Sequence, residues 1–266
     1  MSLLSKYADI IRSVAPCEIV ADTSLGGKLT LGIEGDLQVD YAPFDYLNLL
    51  AKVALVGITP GRQQARNALL EANHQLNAGA DLETVARAAK HFGSFSGPMR
   101  NNLVLCLDAI GVHEWLGIES TSGLWDKYSD LVHFTSGVMF PTYVRKNGKL
   151  ENWNGRPLTA NSELLSRITR EFLAVEAKEL ASNDCVFVAL GPKAAEAIQS
   201  AGIDDGMVIK IPHPSPASAE RTAYFAGIKP REKLSKQTNP EKFDAMRAEA
   251  IEKIARLKSL SAAPTA

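Results

Sequence analysis

A histidine held among prolines and a hydroxyl beside a proline are the two places in this chain where residue type and spacing could support chemistry. The first is His213-Pro214-Ser215-Pro216-Ala217-Ser218 and the second is Gly57-Ile58-Thr59-Pro60-Gly61. A histidine gives or takes a proton near neutral pH, and the prolines beside His213 restrict its backbone. The Thr59 hydroxyl has one donor and two acceptor sites, so it can orient a water but cannot act as a base. Each loop follows an apolar run, Met207-Val208-Ile209-Lys210-Ile211 or Val53-Ala54-Leu55-Val56, that reads as a buried strand. Open α/β sheets bind ligands at the carboxyl ends of their strands, so two stiffened strand-end loops predict one preorganised site. The first loop has neither G-x-G-x-x-G nor G-x-x-x-x-G-K-[ST], which argues against nucleotide-phosphate cradles. A G-x-S-x-G elbow is also lacking, which weakens an unrelated α/β-hydrolase reading.

The elements that must position these loops alternate in type. Leu3, Leu4, Tyr7, Ile10, Ile11 and Val14 give residues 2–14 a helical period. Glycines punctuate 17–41, an irregular β-rich excursion. Strand 52–57 is followed by helices through 62–91 and a helix over 99–110 that ends at Gly111. A strand over 130–139 leads into a loop or hairpin over 141–158, signalled by Asn147-Gly148. Then come a helix over 160–181, a strand over 185–190, the turn Gly191-Pro192-Lys193, a helix over 193–201 and a strand over 207–211. A charged helix over 240–258 and a disordered tail over 259–266 close the chain. This alternation predicts an α/β fold, a three-layer α/β/α sandwich with a mostly parallel four-stranded central sheet. Residues 1–258 show no linker and read as one domain.

Composition narrows the function classes. Of 266 residues, 45% are apolar and 22% charged, ordinary values for a globular protein. A net charge of −1 supplies no global field for nucleic acid, so any such binding needs a local basic patch. Cys17, Cys106 and Cys185 are widely separated and form no C-x-x-C pair, as in a reduced intracellular protein without structural zinc. No apolar run approaches the ~20 residues that span a bilayer. The expected location is the cytoplasm.

In order along the chain, five segments resemble the uracil-DNA glycosylase superfamily. The Gly57, Pro60 and Gly61 positions are similar to its G-x-[DNE]-P-[YG] motif, and His213–Ser218 is similar to its H-P-S-P-L-S. Phe95 resembles the family's base-stacking phenylalanine. Leu190-Gly191-Pro192-Lys193-Ala194-Ala195 is similar to its strand-to-helix turn, and Arg221 with Tyr224-Phe225 matches residues that follow the histidine motif in some members. The resemblance covers about 52–230 of a single domain over 1–258. Some branches carry an iron–sulfur cluster on four cysteines, for which this chain has too few.

The resemblance implies hydrolysis of an N-glycosidic bond in DNA after the nucleotide is flipped into a pocket. His213 would stabilise the departing base and Thr59 would position water. Gly57, Ile58, Pro60, Gly61, Phe95 and Ser136 would surround the base, and Arg62, Lys193, Ser215, Ser218 and Arg221 would hold DNA. No cofactor or metal is called for. DNA with an extrahelical base, single- or double-stranded, is the expected partner, and the protein is expected to act as a monomer away from membranes. Three positions depart from the family pattern: Thr59 replaces the catalytic Asp or Asn, Ser136 replaces a base-reading Asn, and Ala217 replaces a leucine wedge. A neighbouring set of cations, among them Arg66, Arg100, Arg145, Lys146, Lys229, Arg231, Lys233 and Lys236, borders the expected site. Asp126, Asp130 and His133 are candidates for a displaced acid or base, against a structural reading as a capping region and a strand histidine. The alternative function is a base- or nucleic-acid-binding protein on the same fold, with hydrolysis lost along with the carboxylate.

Overall fold

In the computed structural model, which describes residues 3–156 and 161–262, the apolar runs form one sheet of four parallel strands. The chain opens with helices α1 (Leu3–Ser13) and α2 (Pro16–Ala21) and strands β1 (Thr30–Glu34) and β2 (Leu37–Asp40). Strand β3 (Val53–Gly57) leads into α3 (Arg62–Asn77), α4 (Leu82–Gly93), α5 (Pro98–Ala109) and the short α6 (Val112–Leu116). Strand β4 (Val132–Ser136) precedes the hairpin of β5 (Thr142–Lys146) and β6 (Lys149–Asn152). Helices α7 (Glu163–Ile168) and α8 (Ala174–Ala181) are joined by a π turn over Thr169–Leu173. Strand β7 (Val186–Leu190), α9 (Pro192–Ser200), β8 (Val208–Ile211), α10 (Ala219–Phe225) and α11 (Pro240–Ala262) complete it.

The parallel sheet has the order β4-β3-β7-β8, with Gly57 opposite Ser136 and Leu190 opposite Ile211. All four carboxyl ends therefore emerge along one edge. Val53, Leu55, Phe134, Val188 and Ile209 pack on one face against Leu103 and Leu107 of α5 and Ile254 of α11. Ala54, Val56, Phe187 and Ala189 pack on the other face against Leu173, Ala177 and Leu180 and against Ala194 and Ile198 of α9. Both faces are buried, which is why the central strands β3 and β7 are continuous apolar runs. Each fully buried Val, Leu or Phe contributes about 1.5–3 kcal/mol, so the strands form a rigid frame for the loops beyond them.

A second, antiparallel sheet has the order β1-β2-β5-β6. Its hairpin turns at Asn147 (φ 48°) and Gly148 (φ 76°), both left-handed as a type I′ turn requires. Leu37 and Val39 join Tyr7, Ala65 and Leu69 in a core shared with α1 and α3. The end of β6 reaches the start of α3, where Asn152 Oδ1 accepts from the Arg62 N–H at 3.0 Å.

Several boundaries differ from the sequence expectation. Residues 17–41 begin inside α2 before any strand forms. The strand expected over 130–139 is confined to Val132–Ser136, because Ser129–Leu131 coils as a 3-10 turn and the Gly137 and Val138 amides bond the loop after β3. Ser162 caps α7 by accepting from the Leu165 N–H at 3.2 Å, so that helix starts later than expected. The disordered tail expected from 259 is corrected: α11 continues through Ala262, and the Ser259 hydroxyl bonds the Arg256 carbonyl at 2.7 Å. No helix breaker precedes Pro264 in that stretch. Residues 2, 157–160 and 263–266 of the expected elements lie outside the described residues. No helix among the described residues is long and apolar enough to cross a membrane.

Candidate functional site

The loops after β3 and β4 are laced together at the carboxyl edge. Gly137 N–H donates to the Gly57 carbonyl and Val138 N–H to the Ile58 carbonyl, both at 2.9 Å. A Cβ on Gly57 would lie 3.2 Å from Phe95 Cε1 and 3.2 Å from Ser136 Oγ, tighter than side chains normally pack. Glycine is what lets the ring and the hydroxyl close on the strand end. Phe95 has φ 50°, a left-handed conformation uncommon outside glycine, and its N–H donates to Gln64 Oε1 at 2.9 Å. Pro60, Gln64, Phe95 and Ser136 line a small pocket together with Phe44 and Met139. Its volume is about 10 Å³, the least that admits one water.

His213 follows β8 on the same edge, and β8 is separated from β3 by β7. Its Nδ1 accepts from the Ser215 N–H at 3.3 Å. Burial pushes its pKa below the usual histidine value, so the ring is neutral and its one proton resides on Nε2. The loop is held from two sides. Asn102 Nδ2 of α5 donates to the Pro214 carbonyl at 3.0 Å, and a Cβ on Gly191 would come within 3.1 Å of His213 Cβ. Thr59 Oγ1 donates to the Phe140 carbonyl at 2.8 Å. Its only proton is thereby engaged, and Thr59 can meet a water or ligand only as an acceptor.

The expected base-binding set is thus brought together in part. Pro60, Phe95 and Ser136 line the small pocket and Gly57 lies against Phe95 and Ser136, whereas Gly61 lies beside Asn152. Ile58 lines a separate cavity of about 290 Å³ with Val138, Trp153 and Ala197. A cavity of about 330 Å³ between α9, β8 and α11 contains none of the candidate catalytic residues.

The expected DNA-facing residues also divide. Arg62 donates to the Leu150 carbonyl at 2.7 Å and lies over the Tyr143 ring, tied to the antiparallel sheet. Lys193 pairs with Glu196 at 2.7 Å. Lys146, Lys229 and Arg231 pair with Glu151, Glu220 and Glu241, and Arg100 lies over Trp125. Exposed Arg221, Lys233 and Lys236 form no ion pair with a described residue. Ser215 and Ser218 face one another at 3.5 Å on a 3-10 turn, and Ala217 is exposed.

A charged cluster that the sequence did not reveal lies behind β4. Glu176 of α8 accepts from Thr135 Oγ1 at 2.6 Å and lies 3.2 Å from His133 Nε2 and 3.3 Å from Lys90 Nζ. Burial alone would raise the Glu176 pKa, but Lys90, His133 and these hydrogen bonds bring it down to about 2. His133 Nδ1 accepts from the Asn48 N–H, and burial together with Lys90 lowers its pKa. His133 is therefore structural, and Asp130 pairs with Arg87 at 2.6 Å, so neither supplies a free acid or base to the edge. Gln64 was missed as well. Its place in the first turn of α3 among polar neighbours gives no signal separating a pocket residue from a solvated one.

Among the described residues no group of three or more His, Cys, Asp or Glu side chains is placed to hold a metal. Burial pushes the Cys106 and Cys185 thiols up to about 12, so neither is a nucleophile near neutral pH.

Together, sheet and loops define an α/β protein with a small, partly polar pocket and a neutral histidine at one carboxyl edge. No family model matches the chain. It is 29% identical over 260 residues to YoxB, an uncharacterized protein of Bacillus subtilis (strain 168), across 95% of this chain and 97% of that one.

Proposed function

We propose that this chain is a divergent member of the uracil-DNA glycosylase superfamily that hydrolyses the N-glycosidic bond of a uracil-like or modified base in DNA. One observation carries the reading: Pro60, Phe95 and Ser136 line one pocket, Gly57 lies against Phe95 and Ser136, and the Nε2 donor of His213 is on the same sheet edge. In this mechanism the base stacks on Phe95. His213 Nε2 donates to the base oxygen that gains charge as the bond stretches, and Thr59 accepts a hydrogen bond from the attacking water. A donor aimed at developing charge is typically worth ~10²–10³ in rate. The missing carboxylate forgoes base assistance typically worth ~10²–10⁴, so the enzyme is slow. The reading carries a three-layer α/β/α sandwich, action as a monomer and a cytoplasmic location, with DNA as partner.

Two features favour a second reading, binding of an extrahelical base without hydrolysis. The Thr59 proton is committed to Phe140, and the pocket, at about 10 Å³, is smaller than a base. A panel of oligonucleotides carrying single modified bases separates the two. The enzyme leaves abasic sites, more of them in Thr59→Asp, and none in His213→Ala at nearly unchanged DNA affinity. The binder releases no base, and His213→Ala weakens its hold on the extrahelical base. Absence of both base release and salt-sensitive DNA binding would remove both readings.

A further inference from the structure

Resting on the reading of this edge as a base-handling site, we propose that Gln64 selects the base, admitting one that presents a carbonyl oxygen and rejecting one that presents an amino group. Ser136, where the resemblance implies a reading asparagine, has a single hydroxyl and cannot supply an amide's paired donor and acceptor. Gln64 lines the same pocket from the first turn of α3.

The orientation of its amide is set by chemistry. The Phe95 N–H can be received only by an oxygen, so Oε1 faces the backbone of the Phe95 loop at 2.9 Å and Nε2 is the remaining end. Nε2 forms no hydrogen bond with a described residue. A residue that lines the pocket thus keeps two N–H donors that no described residue receives. A carbonyl of uracil or hypoxanthine satisfies such a donor. The exocyclic amine of cytosine or adenine brings hydrogen against hydrogen and leaves both groups unsatisfied in a closed space. The same bond makes Gln64 a strut for Phe95, whose left-handed backbone needs support, so the test must separate strut from reader.

Gln64→Glu does so. At pH 8 a carboxylate still accepts from the Phe95 N–H, keeping the strut, but its second oxygen turns the donor end into an acceptor. Gln64→Met keeps the length and removes both polar atoms. The probes are four single-stranded oligonucleotides, each with one uracil, hypoxanthine, cytosine or adenine in an otherwise identical abasic-spacer strand. Affinity is read by fluorescence anisotropy and base release by abasic-site cleavage.

Wild type is expected to favour the two carbonyl bases by about 10- to 100-fold, the discrimination of one good polar contact. Gln64→Glu is expected to reverse the order and Gln64→Met to level it. Retention of the wild-type order in either folded variant overturns the role of Gln64 and leaves the base-handling reading standing. Wild type that neither prefers nor releases any of the four overturns both.

Discussion

Two sets of polar groups, one behind strand β4 and one at the carboxyl edge of the sheet, have hydrogen bonding that is complete to different degrees. On the inner side, Glu176 receives Thr135, Lys90 and His133, and His133 is held in turn by the Asn48 amide. At the carboxyl edge, Gln64 and His213 each engage one polar atom with neighbouring backbone and leave a donor over. An unpaired polar group inside a protein is costly, so the inner cluster is closed by necessity. The spare donors lie where a ligand from outside can meet them. Unspent hydrogen-bonding capacity therefore separates the two sets.

The contrast can be broken most forcefully from inside. Glu176→Ala strands the Lys90 ammonium in the core and is expected to cost about 3–5 kcal/mol in urea unfolding. Lys90→Met with Glu176→Leu removes both charges and is expected to recover most of that loss. Equal damage from single and double variants would show that packing, not charge pairing, holds this region.

Acid probes both clusters at once. His133 and His213 are held neutral by burial, and His91, for the same reason with nearby cations adding to it, is lowered to about 4. Each folded value lies below the unfolded value near 6.5. As pH falls below 6.5 the unfolded chain takes up protons that the folded chain refuses, so stability drops by about 1.4 kcal/mol per pH unit for each proton withheld. Below about pH 4.5 protonation of Glu176 in the unfolded chain adds to the loss, down to its folded value of about 2. Melting temperature should hold near pH 7.5 and decline from about pH 6.5 to 4; a flat profile across that range would contradict neutral buried histidines.

Smaller stability effects are expected at the edge. Gly57→Ala forces a methyl against Phe95 and Ser136 and is expected to cost about 1–3 kcal/mol, with base binding falling further than stability. His213→Ala is expected to cost less than about 1 kcal/mol, because His213 is only half-buried. Base release should nevertheless fall ~10²–10³-fold. A melting temperature that collapses in His213→Ala would make that histidine structural and erase the distinction between the clusters.

What was legible in the sequence follows the range of the interactions involved. The runs beginning at Val53, Val186 and Val208 announce buried parallel strands because both faces of the sheet must be apolar. Asn147-Gly148 announces its hairpin because a type I′ turn needs left-handed residues. Gly57, Phe95 and Ser136 are singled out one by one, and the structure brings them against one another. The Thr59 bond to Phe140 and the bonds of Glu176 to Lys90 and Thr135 join distant segments, and no local pattern encodes them. The helical end of α11 was misread because a short polar stretch after a charged helix looks like a frayed terminus.

The π turn over Thr169–Leu173 acts as a phase shifter between two anchor points. Upstream of Glu176, the Thr169 hydroxyl is fixed to the Gly137 carbonyl at 3.0 Å, and downstream Glu176 is fixed to His133 and Lys90. A π turn holds one residue more than the α-helix around it, and an α-helix advances about 100° per residue. Removing one residue there would leave Thr169 docked while swinging Glu176 by about that angle, away from the two side chains it neutralises. A single wide turn thus keeps two contacts on one helix in step, one at the loop edge and one in the core, so the spacing of that turn matters more than its side chains.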